Sequence, residues 1–326
     1  MRSQSTSTLI TSTINIGIGG SEFVKPGVPQ ISWKSQLKYL YHRTSLHILR
    51  QPMNTILRIA VNISLSLYVG FLFYQTGRSQ QSIYARVGFL FFMTSIQAFV
   101  TTVGVVLTFA EERALFLREK QKRIYDTSAY FIGRTIVDMG LQTVLAIIFG
   151  AFAYPMVGLQ GSFKKFLQYT LCLILIGQST HSYALIVASV IPYQTVALML
   201  CPIVMVPFMM VTGFFVNNQS IPTWFSWLQA ISPQKYMFES LMGVEMSGLE
   251  LECQPEEIMI IPLDDGKMEQ YCPLITGEEV LNIFALSSTN YSINALLVIL
   301  LTIVVRFIAY FSLRLSAYVH IRTSRG

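Results

Sequence analysis

Charge is what this sequence has least of. Asp, Glu, Lys and Arg make up 12% of its 326 residues, about half the share found in a soluble domain. An ordinary water-facing surface cannot be built from so few charged groups. Histidine is also sparse: His42, His47, His181 and His320 are scattered along the chain. They supply neither metal-ligand spacing nor a cluster of catalytic groups at one depth, which argues against a membrane enzyme and a metal centre. No ring of charges or filter-like repeat marks a channel. No G-x-x-x-x-G-K-[ST] cradle for phosphate occurs either, the one Gly-Lys pair being Gly266-Lys267. ATP hydrolysis by this stretch alone is therefore not expected. The first twenty residues hold Ser, Thr and Ile with Arg2 as the one basic residue. They lack the charged start and long apolar core of a signal peptide, so residues 1–31 are expected to be a flexible cytoplasmic lead-in.

What is abundant is apolar surface: 52% of residues are hydrophobic and the mean hydropathy is +0.52. These residues gather into long runs, and about 20 in a row cross a bilayer as a helix. Six spans are expected, at residues 53–74, 83–109, 130–154, 163–190, 194–216 and 291–318. Ahead of them, residues 33–51 read as an amphipathic helix. Trp33, Leu37, Leu40, Tyr41, Ile48 and Leu49 share one side, and Lys34, Lys38, His42, Arg43 and Arg50 share the other. Such a helix lies in the membrane interface, and Pro52 is expected to end it.

The net charge of +6 could suggest a nucleic-acid partner, but its distribution points elsewhere. Residues 217–290 hold 11 of the 17 acids against only Lys235 and Lys267, so this stretch stands near −9 and the rest near +15. Lys and Arg are retained on the cytoplasmic side of short membrane loops. Arg113, Arg118, Lys120, Lys122 and Arg123 in one loop, and His320, Arg322 and Arg325 in the tail, mark that side. Both termini are then cytoplasmic, with Lys164 and Lys165 a minor exception. The acidic stretch 217–290 becomes an extracytoplasmic loop. It carries Cys253 and Cys272, which read either as a disulfide or as two free thiols. Cys172 and Cys201 fall inside spans as packing residues. Sequons begin at Asn218 and Asn290 on the same outer side, both at the membrane edge. A third match at Asn62 is buried in a span. Residues 221–240, with Pro222, Trp224, Trp227 and Pro233, are too broken for a span and suit short helices that dip back into the membrane.

Four segments carry a family resemblance. Residues 32–52 (SWKSQLKYLYHRTSLHILRQP) resemble the connecting helix of G-subfamily ABC half-transporters, the White and breast-cancer-resistance-protein group. Residues 111–130 (EERALFLREKQKRIYDTSAY) are similar to that group's coupling segment, and 211–236 (VTGFFVNNQSIPTWFSWLQAISPQKY) to its fifth-span exit. Residues 272–281 (CPLITGEEVL) are similar to its loop before the last span. The order and topological positions agree from about residue 32 onward. The resemblance implies an all-α membrane fold, an ABC-2 type transmembrane domain at residues 32–326. In it, residues 32–51 form a connecting helix, a cytoplasmic coupling helix follows the second span, and re-entrant helices precede the loop.

It also implies roles for particular residues. Phe91, Phe92, Ser95 and Phe99 of the second span, with Val206, Met209 and Met210 of the fifth, would line a substrate cavity between two protomers. Rings and methionines suit a flat, greasy ligand. Phe214 and Phe215 would form an apolar plug above it. Glu111, Glu112, Arg113, Arg118 and Glu119 would dock an ATP-binding domain, against the plain reading of a solvated charged loop. Family members carry that domain, with its ATP and Mg, ahead of the spans. None is seen in this sequence, so the expected partners are an ATP-binding domain, a second protomer (identical or not), membrane lipid and an amphipathic substrate. Two functions compete: the membrane part of a plasma-membrane exporter of lipid-like or amphipathic molecules working by alternating access, or a non-transporting membrane partner that regulates another half-transporter. Inside the spans, Arg134 and Asp138 are four apart and read as a structural pair. Arg86 and Arg306 read as snorkelling or as shifted out of the span with its boundary, Arg58 is a further intramembrane polar group, and His181 stands alone.

Overall fold

A computed structural model describes residues 31–50, 52–122, 124–216, 220–255, 257, 259–262, 268–286 and 290–323. The expected lead-in up to residue 30, Asn218, Arg123, Lys267 and Arg325 lie outside the described residues, as does the side chain of Glu111.

The first helix, α1 (Trp33–Arg50), gives way at Pro52 to α2 (Pro52–Leu72). The proline thus opens the second helix as well as closing the first, since at the first helical position its missing N–H costs nothing. Helix α1 is held by few apolar contacts: Leu40 is buried, whereas Tyr41 and Leu49 stay 46% and 74% exposed. Its attachment is polar. The Trp33 indole Nε1 donates to Ser128 Oγ at 3.1 Å, and the Asp126 backbone N–H donates to Gln36 Oε1 at 3.0 Å.

Five helices are long and apolar enough to cross a membrane: α2, α3 (Gln80–Gln121), α4 (Thr127–Val157), α5 (Phe163–Val190) and α10 (Tyr291–Thr323). The chain is a multi-pass membrane protein. The sixth expected span differs. Helix α6 (Gln194–Met210) has 17 residues, about 26 Å at 1.5 Å per residue, against an apolar bilayer core of about 30 Å. It carries Pro202 and Pro207, which cannot donate to the helical ladder. Past Met210, Gly213 takes a φ of 96° and turns the chain, a left-handed conformation that suits a residue without Cβ. A second difference is that the expected second span and coupling segment are one helix: α3 runs 42 residues without a break.

Helix α5 sits at the centre, packed by α3, α4, α8 (Pro233–Met246) and α10. Its small residues Gly177, Ser179, Ser182 and Ala184 let neighbouring helices approach closely.

After the turn at Gly213, a 3₁₀ turn (Thr223–Phe225), α7 (Ser226–Ile231) and α8 (Pro233–Met246) occupy the proline-broken stretch. Ser232 caps α8, accepting from Lys235 N at 3.3 Å. A two-stranded antiparallel hairpin follows, β1 (Met259–Pro262) with β2 (Met268–Tyr271). Helix α9 (Gly277–Ile283) starts with a capping box made by Thr276 and Glu279. Asn290 caps α10, its Oδ1 accepting from Ser292 N at 3.1 Å.

Cys253 and Cys272 form a disulfide with Cα atoms 6.2 Å apart, closing a 19-residue separation around the hairpin. Cys172 and Cys201 are free and buried. Cys253→Ser is expected to cost about 3 kcal/mol, the loop-closure value for such a separation. Thermal unfolding of the purified protein with and without reductant checks this; reductant should lower the wild-type midpoint and leave the variant unchanged.

Candidate functional site

The face shared by α3 and the chain following α6 is aromatic. The Phe91 ring stacks on Phe214 with centroids 4.4 Å apart and meets Phe215 edge-on at 5.0 Å. Phe92 abuts Phe91 at 5.7 Å, and Phe214 abuts Phe215 at 5.1 Å. The structure therefore brings the two halves of the expected site, Phe91–Phe92 and Phe214–Phe215, into one cluster. Its members differ in access. Phe91 is 1% exposed and works as the inner support, whereas Phe92 and Phe215 are 44% and 54% exposed. Val206 is exposed on α6, and Met209 and Met210 are partly buried, with Met209 packed on the central core. Ser95 is buried, and its hydroxyl has no hydrogen-bond partner among the described residues. Phe99 lines a separate apolar groove of about 260 Å³ with Leu57, Val61, Val103 and Leu107 of α2 and α3.

At the other end of α3 the expected docking charges are engaged within the chain. Arg43 of α1 donates to both carboxylate oxygens of Glu119, at 2.9 and 3.0 Å, and the Tyr125 hydroxyl donates to the same carboxylate at 2.6 Å. Burial and that carboxylate push the Tyr125 phenol well above its ordinary pKa. Arg113 donates to Ser316 Oγ of α10 at 2.8 Å, and Glu112 pairs with Arg134 of α4. Of the described members of this set, Arg118 is the exposed one. These charges tie α3 to α1, α4 and α10.

Between the helices lies a polar cluster. Arg134 Nε donates to Asp138 Oδ2 at 3.1 Å, the expected pair one turn apart, and Glu112 adds a second carboxylate. His181 is not alone: its Nε2 stands 3.6 Å from Asp138 Oδ2. Arg58 reaches Gly104 O and Thr108 Oγ1 from α2.

Arg86 and Arg306, read from sequence as snorkelling or shifted with the span boundary, turn inward instead. Arg306 points into the bundle, donating to Ser182 Oγ at 3.1 Å and Gln178 Oε1 at 2.8 Å. Arg86 is 3% exposed and pairs with Glu245 of α8, while donating to the carbonyls of Thr76, Gly77 and Gly158. An unpaired guanidinium at such depth is costly, so inward partners win over a stretched side chain. Glu245 also accepts from Gln160 N at 3.4 Å. Sequence reading missed Glu245 because its partner is 159 residues away. Among the described residues no group of three or more His, Cys, Asp or Glu is placed to hold a metal.

Comparison with known proteins agrees with this architecture. A family model described as ABC-2 type transporter matches residues 35–246. Protein white of Drosophila melanogaster is 25% identical over 286 residues, covering 88% of this chain and 40% of that protein. ABC transporter G family member 3 of Dictyostelium discoideum is 27% identical over 292 residues, 86% of this chain and 21% of its own length. Broad substrate specificity ATP-binding cassette transporter ABCG2 of Bos taurus is 31% identical over 218 residues, 67% of this chain and 33% of that protein. The chain thus aligns with less than half the length of these relatives.

Proposed function

The chain belongs to the ABC-2 type transporter family, and from that premise we propose that it is the membrane part of an ATP-driven exporter of lipid-like or amphipathic molecules. The observation that carries this reading is the aromatic cluster. Phe91 is buried and stacked on Phe214, and the pair holds Phe92 and Phe215 half-exposed on the face of α3 and the α6 exit. An exposed aromatic strip on a membrane helix, backed by a rigid stack, suits a flat apolar ligand held between two such faces. In this reading two protomers, identical or not, meet across α3 and α6. Phe92, Phe99, Val206, Met209 and Met210 face the substrate, and Phe214 and Phe215 close the path above it in alternating access.

The power comes from an ATP-binding domain that holds ATP and Mg, docked beneath α3 with Arg118 outward. Both termini lie in the cytoplasm, α6 and the turn after it complete a sixth crossing, α7 and α8 re-enter the outer leaflet, and the protein works in the plasma membrane. Its relatives' names include an ATP-binding cassette transporter of broad substrate specificity, which supports the substrate class.

The test is to purify the intact native product with its partners from membranes and measure its mass and ATPase activity, then export by reconstituted vesicles. The reading expects ATP hydrolysis and ATP-dependent movement of an amphipathic dye. Phe92→Ala should weaken the apparent affinity for that dye roughly three- to tenfold, the worth of one lost aromatic contact. A native product of about 37 kDa without ATPase, and with no ATPase subunit copurifying, overturns it in favour of a non-transporting membrane partner.

A further inference from the structure

Helices α4 and α10 pack only sparsely against each other, and none of the residues lining the groove between them belongs to the aromatic cluster. That groove has a volume of about 390 Å³, within the range of small-molecule sites, about 300–1,000 Å³. Its floor is the edge-to-face contact of Phe131 with Tyr310, at 5.6 Å. Its walls are Ile132 and Ile136 on one side and Ile303 and Phe307 on the other. Arg306 borders it, but its guanidinium is turned inward to Ser182 and Gln178, so the groove presents almost nothing polar along its length. Ile132, Ile303 and Phe307 are 39%, 47% and 62% exposed, and the groove is open to the side.

One end differs from the rest. The stripe Ile303, Phe307, Tyr310 continues at the same helical spacing to Arg314, about 6 Å further along α10. Arg314 is exposed and has no ion-pair partner among the described residues. At the same end Ser128 borders the groove and accepts from the Trp33 indole. That contact places the interfacial helix α1 there, with Lys34 and Lys38 exposed. Asp126, whose backbone N–H donates to Gln36 of α1, is an exposed acid near the same end.

We propose that this groove is a binding site for one anionic phospholipid, in the leaflet that faces α1. An acyl chain lies between α4 and α10, and the phosphate sits at the level of Arg314 and the basic side of α1. An apolar slot that ends in unpaired cations at headgroup depth matches the two ends of such a lipid, and a zwitterionic lipid gains less there. Binding in this groove is independent of which molecule is exported, so it can be read without any transport assay.

Native mass spectrometry of the intact, delipidated protein, titrated with phosphatidylserine or phosphatidylcholine of the same chains, tests the proposal. The wild type should take up one phosphatidylserine per chain with about fivefold preference, the worth of roughly one basic residue at a lipid surface. Arg314→Gln should erase the preference. Ile132→Trp, at a position already exposed, should fill the slot and remove the tightly bound lipid. Equal binding of the two lipids by the wild type, or unchanged occupancy in Ile132→Trp, overturns the site.

Discussion

Glu245→Ala is expected to lower the unfolding free energy by about 3–5 kcal/mol, the cost of leaving one member of a buried ion pair behind. Arg86 and Glu245 are each 3% exposed, so water cannot take the carboxylate's place. The guanidinium keeps its three carbonyl acceptors, Thr76, Gly77 and Gly158, but none of them carries a formal charge. The loss also removes one tie to the loop between α4 and α5, the Gln160 backbone N–H to the Glu245 carboxylate, while the Gln160 side chain keeps its bond to the backbone carbonyl of residue 245. Arg86→Met alone should be similarly damaging. The double variant Arg86→Met/Glu245→Leu should recover more than half of the loss, since paired removal leaves no orphaned charge. Thermal denaturation of the detergent-purified protein, run as a double-mutant cycle, checks this. A double variant no more stable than either single variant would show that the pair's value lies in packing instead of charge compensation.

Arg134→Met should be comparably severe, for a different reason. Arg134 is shared: its side chain is 5% exposed and meets Glu112 of α3 and Asp138 of its own helix, and it lies over the Phe109 ring at 5.3 Å. Removing it leaves two carboxylates without the cation between them, with His181 at 3.6 Å from Asp138 the nearest ring nitrogen. A loss of about 3–5 kcal/mol is expected. Arg134→Lys should rescue only a fraction of it, because an ammonium does not offer the planar set of donors that serves two acids at once. Asp138→Asn should be milder, since Glu112 still balances Arg134. Midpoints from fluorescence-detected size-exclusion melts give the order; equal losses for Arg134→Met and Asp138→Asn would contradict the sharing.

These two sites mark where sequence is informative and where it is not. Arg134 and Asp138 pair on sequence grounds because a helix places residues four apart on one side. Nothing in the local pattern identifies Glu112 or His181 as their companions, or joins Arg86 to Glu245 across 159 residues, because such contacts depend on how helices are arranged. The long helices are legible from apolar runs alone, and the ends of α2, α4, α5 and α10 fall within about five residues of those expected, while α3 runs on through the coupling segment to Gln121. Helix α6 is the exception: Pro202, Pro207 and the left-handed Gly213 shorten a run that hydropathy draws through to residue 216. The cysteine pair is one of two sequence readings, and the 6.2 Å Cα separation selects the bonded one. The aromatic residues stand out by type, but their division into buried support and exposed face emerges only with the stacking of Phe214 on Phe91. The acidic and basic residues after the second span look free to meet a partner. Glu112, Arg113 and Glu119 instead hold neighbouring helices.

Helix α3 has a mechanical consequence. Its 42 residues contain no proline, so it is a stiff rod of about 63 Å. The aromatic strip at Phe91 and Phe92 and the anchored charge at Glu119 ride on the same rod, 28 residues or about 42 Å apart. A tilt of about 5° about one of these points displaces the other by about 4 Å, close to the centroid spacing of the Phe91–Phe214 stack. In the proposed transport cycle such a rod would carry a small swing at the Arg43–Glu119 clamp to the stacked rings with no joint between them.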